Sequence, residues 1–173
     1  MYYKQRNFVA LYNSCLTCAF VAIQVGNYTL GEKCYSMFAQ MLVAAKSYRL
    51  ALELYKKLRD CAHTHKDIVT KAFALKQMAF CFAKLEKYDN AIICYKYGLS
   101  IAWTIKSATA ELLAYEGLSL MHMYLGNIQK ACFYDARVTH GTYEPEESQG
   151  YKLTVQTTIS EHPWLKERLK KQS

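Results

Sequence analysis

Seven cysteines and five histidines are the side chains of this 173-residue chain best able to do covalent or metal chemistry. Cys15-Leu16-Thr17-Cys18 has the spacing of a dithiol redox motif, or of half a zinc site. Redox chemistry needs such a pair at a strand-to-helix junction, where a helix N-terminus stabilises the thiolate. A structural zinc needs a second ligand pair. The sequence offers neither, so both cysteines read as packing residues of an apolar helix. Cys61, His63 and His65 could gather on a metal, but their spacing matches no metal-binding pattern. They read instead as a helix end with cationic side chains near its C-terminus. His122 beside Cys81 or Cys94 would make a thiol–imidazole dyad; it also falls where Phe82 and Leu42 stand 40 and 80 residues earlier, which makes it a packing residue. No glycine-rich phosphate loop, Ser-His-Asp arrangement or carboxylate pair at helical spacing stands out. The chain therefore reads as non-catalytic, with no metal and no cofactor.

These residues sit inside a repeating pattern. Ala51, Ala91 and Ala131 recur every 40 residues, with Tyr48, Tyr88 and Ile128 three residues before them. Phe38, Met78 and Leu118 align as large apolar residues, and Ala39, Ala79 and Ser119 as small ones. Tyr35, Leu75 and Tyr115 open the segments that Ala45, Leu85 and Leu125 close. Fixed-period self-similarity means stacked units, each unable to bury its own apolar face. The best-formed unit is Met78–Ala102, read as two amphipathic helices around a tight turn. Its small Ala79, Ala91 and Gly98 are expected to let the helices approach closely, with Phe82, Tyr88 and Tyr95 filling between them.

The succession of large-apolar, small and aromatic residues, then aromatic-x-x-Ala-x-x-x-aromatic, resembles the tetratricopeptide repeat. Met78-Ala79, Phe82, Leu85, Tyr88, Ala91, Tyr95 and Gly98 carry the resemblance best, and it spans about residues 30–140. The period is that of the long, 40-residue type, similar to kinesin light chains and spindle-orienting adaptors. The resemblance implies an all-α, right-handed α-solenoid of antiparallel helical hairpins. It also implies a concave groove lined by the first helix of each hairpin. On this chain those positions hold Lys33, Ser36 and Gln40, then Phe73, Lys76, Gln77 and Phe80, then Leu113, Glu116, Leu120 and Met123. The expected groove is apolar and moderately basic. Lys76 matches the lysine of the family's carboxylate clamp, whose asparagines this chain lacks.

The array is expected over residues 1–140: a half repeat at 5–25, then hairpins at 30–63, 67–104 and 107–139. Gly26-Asn27 supplies a left-handed stop, and Gly126-Asn127 is the turn of the last hairpin. Ser47 is a candidate N-cap, and Glu53 and Lys57 have the spacing of a helical ion pair. In the repeat register Phe8, Leu11, Cys15 and Cys18 correspond to Tyr48, Ala51, Tyr55 and Leu58. The apolar run from Phe8 to Val25 carries Asn13, Ser14, Thr17 and Gln24, which argues against a membrane anchor. Residues 141–173 are acidic and turn-rich at first, then basic and amphipathic, and read as a partly irregular tail or cap. Trp164, Leu165 and Leu169 there are candidate end-docking residues.

Two prolines, seven glycines and a hydrophobic share of 52% suit one helical domain with a continuous core. The net charge is +8, and residues 141–173 hold equal numbers of acidic and basic residues, so the excess belongs to residues 1–140. Basic excess attracts acidic partners. The expected partners are a protein or peptide of acidic character and other subunits of a larger complex, with no membrane. Single-stranded RNA binding is the alternative, but Lys33, Phe73 and Leu113 provide no recurring polar base reader. An odd number of cysteines without framework spacing points to free thiols in a reducing, cytoplasmic setting.

Overall fold

The computed structural model describes residues 2–140, with side chains over residues 8–139. The tail at 141–173, with Trp164, Leu165 and Leu169, lies outside the described residues. Seven α-helices account for all the regular structure described: α1 (Tyr2–Gln24), α2 (Tyr28–Ala44), α3 (Tyr48–Thr64), α4 (Ile68–Lys84), α5 (Tyr88–Thr104), α6 (Ala108–Tyr124) and α7 (Ile128–His140). From α2 onward each helix starts 20 residues after the one before it. The sequence period of 40 is thus two helices.

The regularity comes from one turn used six times. Gly26, Lys46, Lys66, Glu86, Lys106 and Gly126 all have positive φ, between 54° and 76°. The N–H of the next residue reaches back to the carbonyl five residues earlier, as Ser47 to Leu42 (2.8 Å) and Asp67 to Ala62 (2.8 Å). The N–H of the positive-φ residue reaches the carbonyl three earlier, as Lys46 to Val43 (2.9 Å). This is the Schellman closure, which satisfies carbonyls left over at a helix end. The residue after the positive φ then starts the next helix. Asn27 accepts from the Leu30 N–H, Asp67 from the N–H groups of Val69 and Thr70, and Ser107 from the Ala110 N–H. Ser47 occupies the N-cap position without a side-chain bond.

The described residues divide into two compact units, the first ending at Lys87 and the second beginning at Tyr88. In the first, α1 packs on α2, α2 on α3 and α3 on α4, while α2 also reaches α4. Its core is built from Cys15, Ala19 and Ala22 of α1, Tyr35, Ala39 and Leu42 of α2, Ala51, Tyr55 and Leu58 of α3, and Leu75, Met78 and Ala79 of α4. In the second, α5 packs on α6 and α6 on α7. Its core includes Ala91, Leu99, Ala102, Tyr115, Leu118, Met121, Ala131 and Tyr134. Within each unit successive helices pack on their chain neighbours, the arrangement of an all-α solenoid.

Four details depart from the sequence reading. Cys18 is exposed although its register partner Leu58 is buried, because α1 turns Cys15, Ala19 and Ala22 inward instead. Ile128 is 60% exposed at a position where the first unit has the half-buried Tyr48. Glu53 pairs with Lys56 (2.7 Å), one residue short of the expected Lys57. Gly98 is not a close-packing residue: a Cβ there would meet nothing within 4 Å. The glycine that packing requires in the second unit is Gly117, whose added Cβ would collide with the Tyr95 ring.

Candidate partner-binding surface

The expected groove residues fall on α2, α4 and α6, and so on both units. On α6, Leu113, Glu116, Leu120 and Met123 follow a three-four-three spacing, which puts them on one helical face. All four are exposed, Leu120 at 46% and Met123 at 56%. The opposite face carries Ala114, Tyr115, Leu118 and Met121, all buried. The helix is therefore apolar on both sides, one packed and one open.

In the first unit, Lys33 and Gln40 of α2 are exposed, with Met37 and Met41 open between and beside them. Gln40 Nε2 donates to Ser36 Oγ at 3.5 Å. On α4, Lys76 and Phe80 are exposed, while Phe73 and Gln77 are half-buried. The two phenylalanines also support the fold. Phe73 meets the Tyr55 ring edge-on (centroids 6.4 Å apart), and Phe80 meets Tyr48 the same way at 6.3 Å. Lys84 Nζ lies 5.5 Å from the Phe80 ring centre, a cation–π contact.

The first unit contains a half-open cleft of about 220 Å³ that sequence reasoning missed. Glu32, Lys33 and Ser36 of α2 line it, with Asp67, Thr70 and Phe73 from the start of α4. Two carboxylates, Glu32 and Asp67, share this wall with the Lys33 cation. Glu32 is 6% exposed, and its Oε1 is buried without a hydrogen bond. The nearest cationic group is His65 Nδ1 at 3.7 Å, beyond hydrogen-bond reach and charged only when protonated. The His65 ring stacks on Tyr28 (5.2 Å, 19°). Burial pushes the Glu32 carboxyl above its usual range, the Asp67 charge adds to this, and His65 opposes both. Asp67 behaves oppositely. Bonds from the Thr70 backbone and hydroxyl and from the Val69 N–H hold its carboxyl below the usual range. A buried glutamate inside an amphipathic helix reads from sequence as an ordinary surface charge, so nothing local marks Glu32.

The residues considered for chemistry are separated or spent on structure. All seven cysteines are free thiols. Cys15 is buried and donates to the Cys34 carbonyl (3.7 Å), and burial pushes its thiol up to about 12. Such a thiol is a poor nucleophile near neutrality. His63 Nδ1 lies 3.3 Å from Lys71 Nζ, and His65 faces Glu32. Among the described residues no group of three His, Cys, Asp or Glu could hold a metal ion. His122 stacks flat on Tyr134 (5.4 Å, 9°), as expected of the aromatic slot. No described helix is long and apolar enough to cross a membrane.

No family model matches this sequence, and no curated protein matches it either.

Proposed function

We propose that the chain is a non-catalytic adaptor or scaffold subunit of the tetratricopeptide-repeat kind, holding a peptide or helix against the first helices of its hairpins. The observation that carries this reading is the open face of α6: Leu113, Leu120 and Met123 exposed on one stripe around Glu116. A contiguous apolar stripe kept in water is costly unless something covers it, and helices that bind partners display such spacing. The basic excess of residues 1–140 supports a partner of acidic character, approached by electrostatic attraction.

The test begins with capture of partners on the immobilised full chain and continues with binding kinetics on variants. Leu120→Ala is expected to weaken the captured protein mainly through faster dissociation, by about 1–2 kcal/mol. Lys76→Glu is expected to slow association, with added salt shrinking the difference. Phe80→Ala is expected to weaken binding and also to lower stability slightly, because its ring packs on Tyr48. Unchanged kinetics in all three variants, or capture of RNA alone, overturns the proposal.

A further inference from the structure

We infer that the outer face of α1 is the contact surface between two copies of this chain, set antiparallel about a two-fold axis near residues 18 and 19. The inference goes beyond the partner-binding reading of α6 and does not rest on it. α1 packs on α2 and buries Cys15, Ala19 and Ala22, while its opposite side is open. Ala10, Asn13, Thr17, Phe20 and Gln24 recur there at alternating steps of three and four, the spacing by which one helix presents a stripe to another. Ser14, Val21 and Val25 flank the stripe. All of these residues are exposed, Phe20 at 60% and Val21 at 55%. The hydroxyls of this face can be covered at little cost. Ser14 Oγ donates to the Ala10 carbonyl (3.0 Å), and Thr17 Oγ1 donates to the Asn13 carbonyl (3.1 Å). Their protons are already satisfied, so covering them strands no donor.

Charge identifies the occupant. Residues 7–31 contain no Asp, Glu, Lys, Arg or His, although the chain carries a net charge of +8. In a two-fold contact the same patch serves both copies, so a charge near the axis meets its own like charge. Two strongly basic copies approach closely only through a face without charge, and α1 presents one. The α6 stripe is unsuited to self-pairing, because Glu116 would come beside its own image. An acidic partner, conversely, gains no attraction from an uncharged surface. With the axis near residues 18 and 19, Asn13 of one copy lies opposite Gln24 of the other, and the pairing occurs twice. Each amide can both donate and accept across the contact. The helix has 23 residues and is about 34 Å long. One face of that length offers less than the roughly 800 Å² per partner of a standard interface, so the dimer is weak, with a Kd on the order of 10 μM.

The experiment is sedimentation equilibrium of the full chain across roughly 1 to 500 μM, a range that brackets that constant. The expected result is a mass rising from monomer to dimer, and a dimer that tightens as salt is added, because salt screens the repulsion between two basic copies. Thr17→Lys and Thr17→Glu each place a charge at the centre of the face without touching the core, and circular dichroism checks their folding. Each alone is expected to raise the Kd at least about tenfold, and an equimolar mixture of the two is expected to associate again. Recovery in the mixture arises only from a contact between copies. A monomer at every concentration, a dimer indifferent to both charges, or a mixture that stays monomeric overturns the inference. Should a variant fail to fold, the salt response of the unaltered chain decides: a dimer that weakens as salt is added is held by opposite charges and overturns it. Leu120→Ala is expected to leave the dimer unchanged, so failure here and failure of the α6 reading are told apart.

Discussion

His122 is a basic side chain held where its neutral form is favoured. It is 6% exposed, its Nδ1 has no hydrogen-bond partner, and its ring lies flat on Tyr134. Burial pushes its pKa below the ordinary 6.5, and the charges of Lys130 and Lys96 push the same way, with Asp89 opposing. The unfolded chain therefore takes up the proton first as pH falls. The stability His122 gives is complete above the ordinary value and is lost as pH drops from there through the depressed value. Urea unfolding at about pH 7.5 and about pH 5.5 should show the loss, and His122→Phe should reduce it while keeping the aromatic slot filled. A pH response identical in the two proteins would place its origin elsewhere. Gly117 and Gly98 make a second contrast. Gly117→Ala drives a methyl into the Tyr95 ring and should cost about 1–3 kcal/mol. Gly98→Ala meets open space inside a helix and should stabilise by about 0.5–1 kcal/mol. Thermal melts of the two variants should move in opposite directions. His122 was legible as a packing residue because its aligned partners are apolar. Gly98, Gly117 and Glu32 were not, because their roles depend on which side chain arrives from the neighbouring helix.

At the scale of the helix, the 40-residue period was visible in Ala51, Ala91 and Ala131, and the glycine turns at 26 and 126 announced themselves. The 20-residue period was hidden. Its inward positions hold Ala19, Ala39, Arg59, Ala79, Leu99 and Ser119, too varied a set to stand out by type. The four middle turns are silent in sequence for another reason: their left-handed residues are Lys46, Lys66, Glu86 and Lys106 instead of glycine. A side chain there is strained by contact of its Cβ with the carbonyl oxygen. Lys106→Gly should relieve that strain, and after allowing for the greater freedom of glycine in the unfolded chain should stabilise by about 0.5–1 kcal/mol. A denaturation midpoint that falls in this variant would mean the Lys106 stem makes packing contacts that outweigh the strain.

Across the whole molecule, the free thiols divide by depth. Cys18 and Cys132 are exposed, while Cys15, Cys61, Cys81 and Cys94 are buried. Burial pushes the Cys61 thiol up to about 11 and Cys81 up to about 12. A disulfide-exchange reagent at neutral pH should label Cys18 and Cys132 promptly and reach the four buried thiols only on unfolding. Prompt labelling of Cys81 would show that the first unit opens locally on the time scale of the reagent. The six identical turns carry a further consequence. Ser47, Asp67 and Ser107 each donate a backbone bond to the helix behind and stand as N-cap to the helix ahead. A surface turn usually trades its amide protons with solvent quickly. Here the amide of each junction residue is bonded to a carbonyl of the helix behind and can exchange only when that helix end opens. Deuterium uptake at these amides should lag behind that of the first-turn amides beside them, so that the slowest-exchanging connections of the chain lie at its bends.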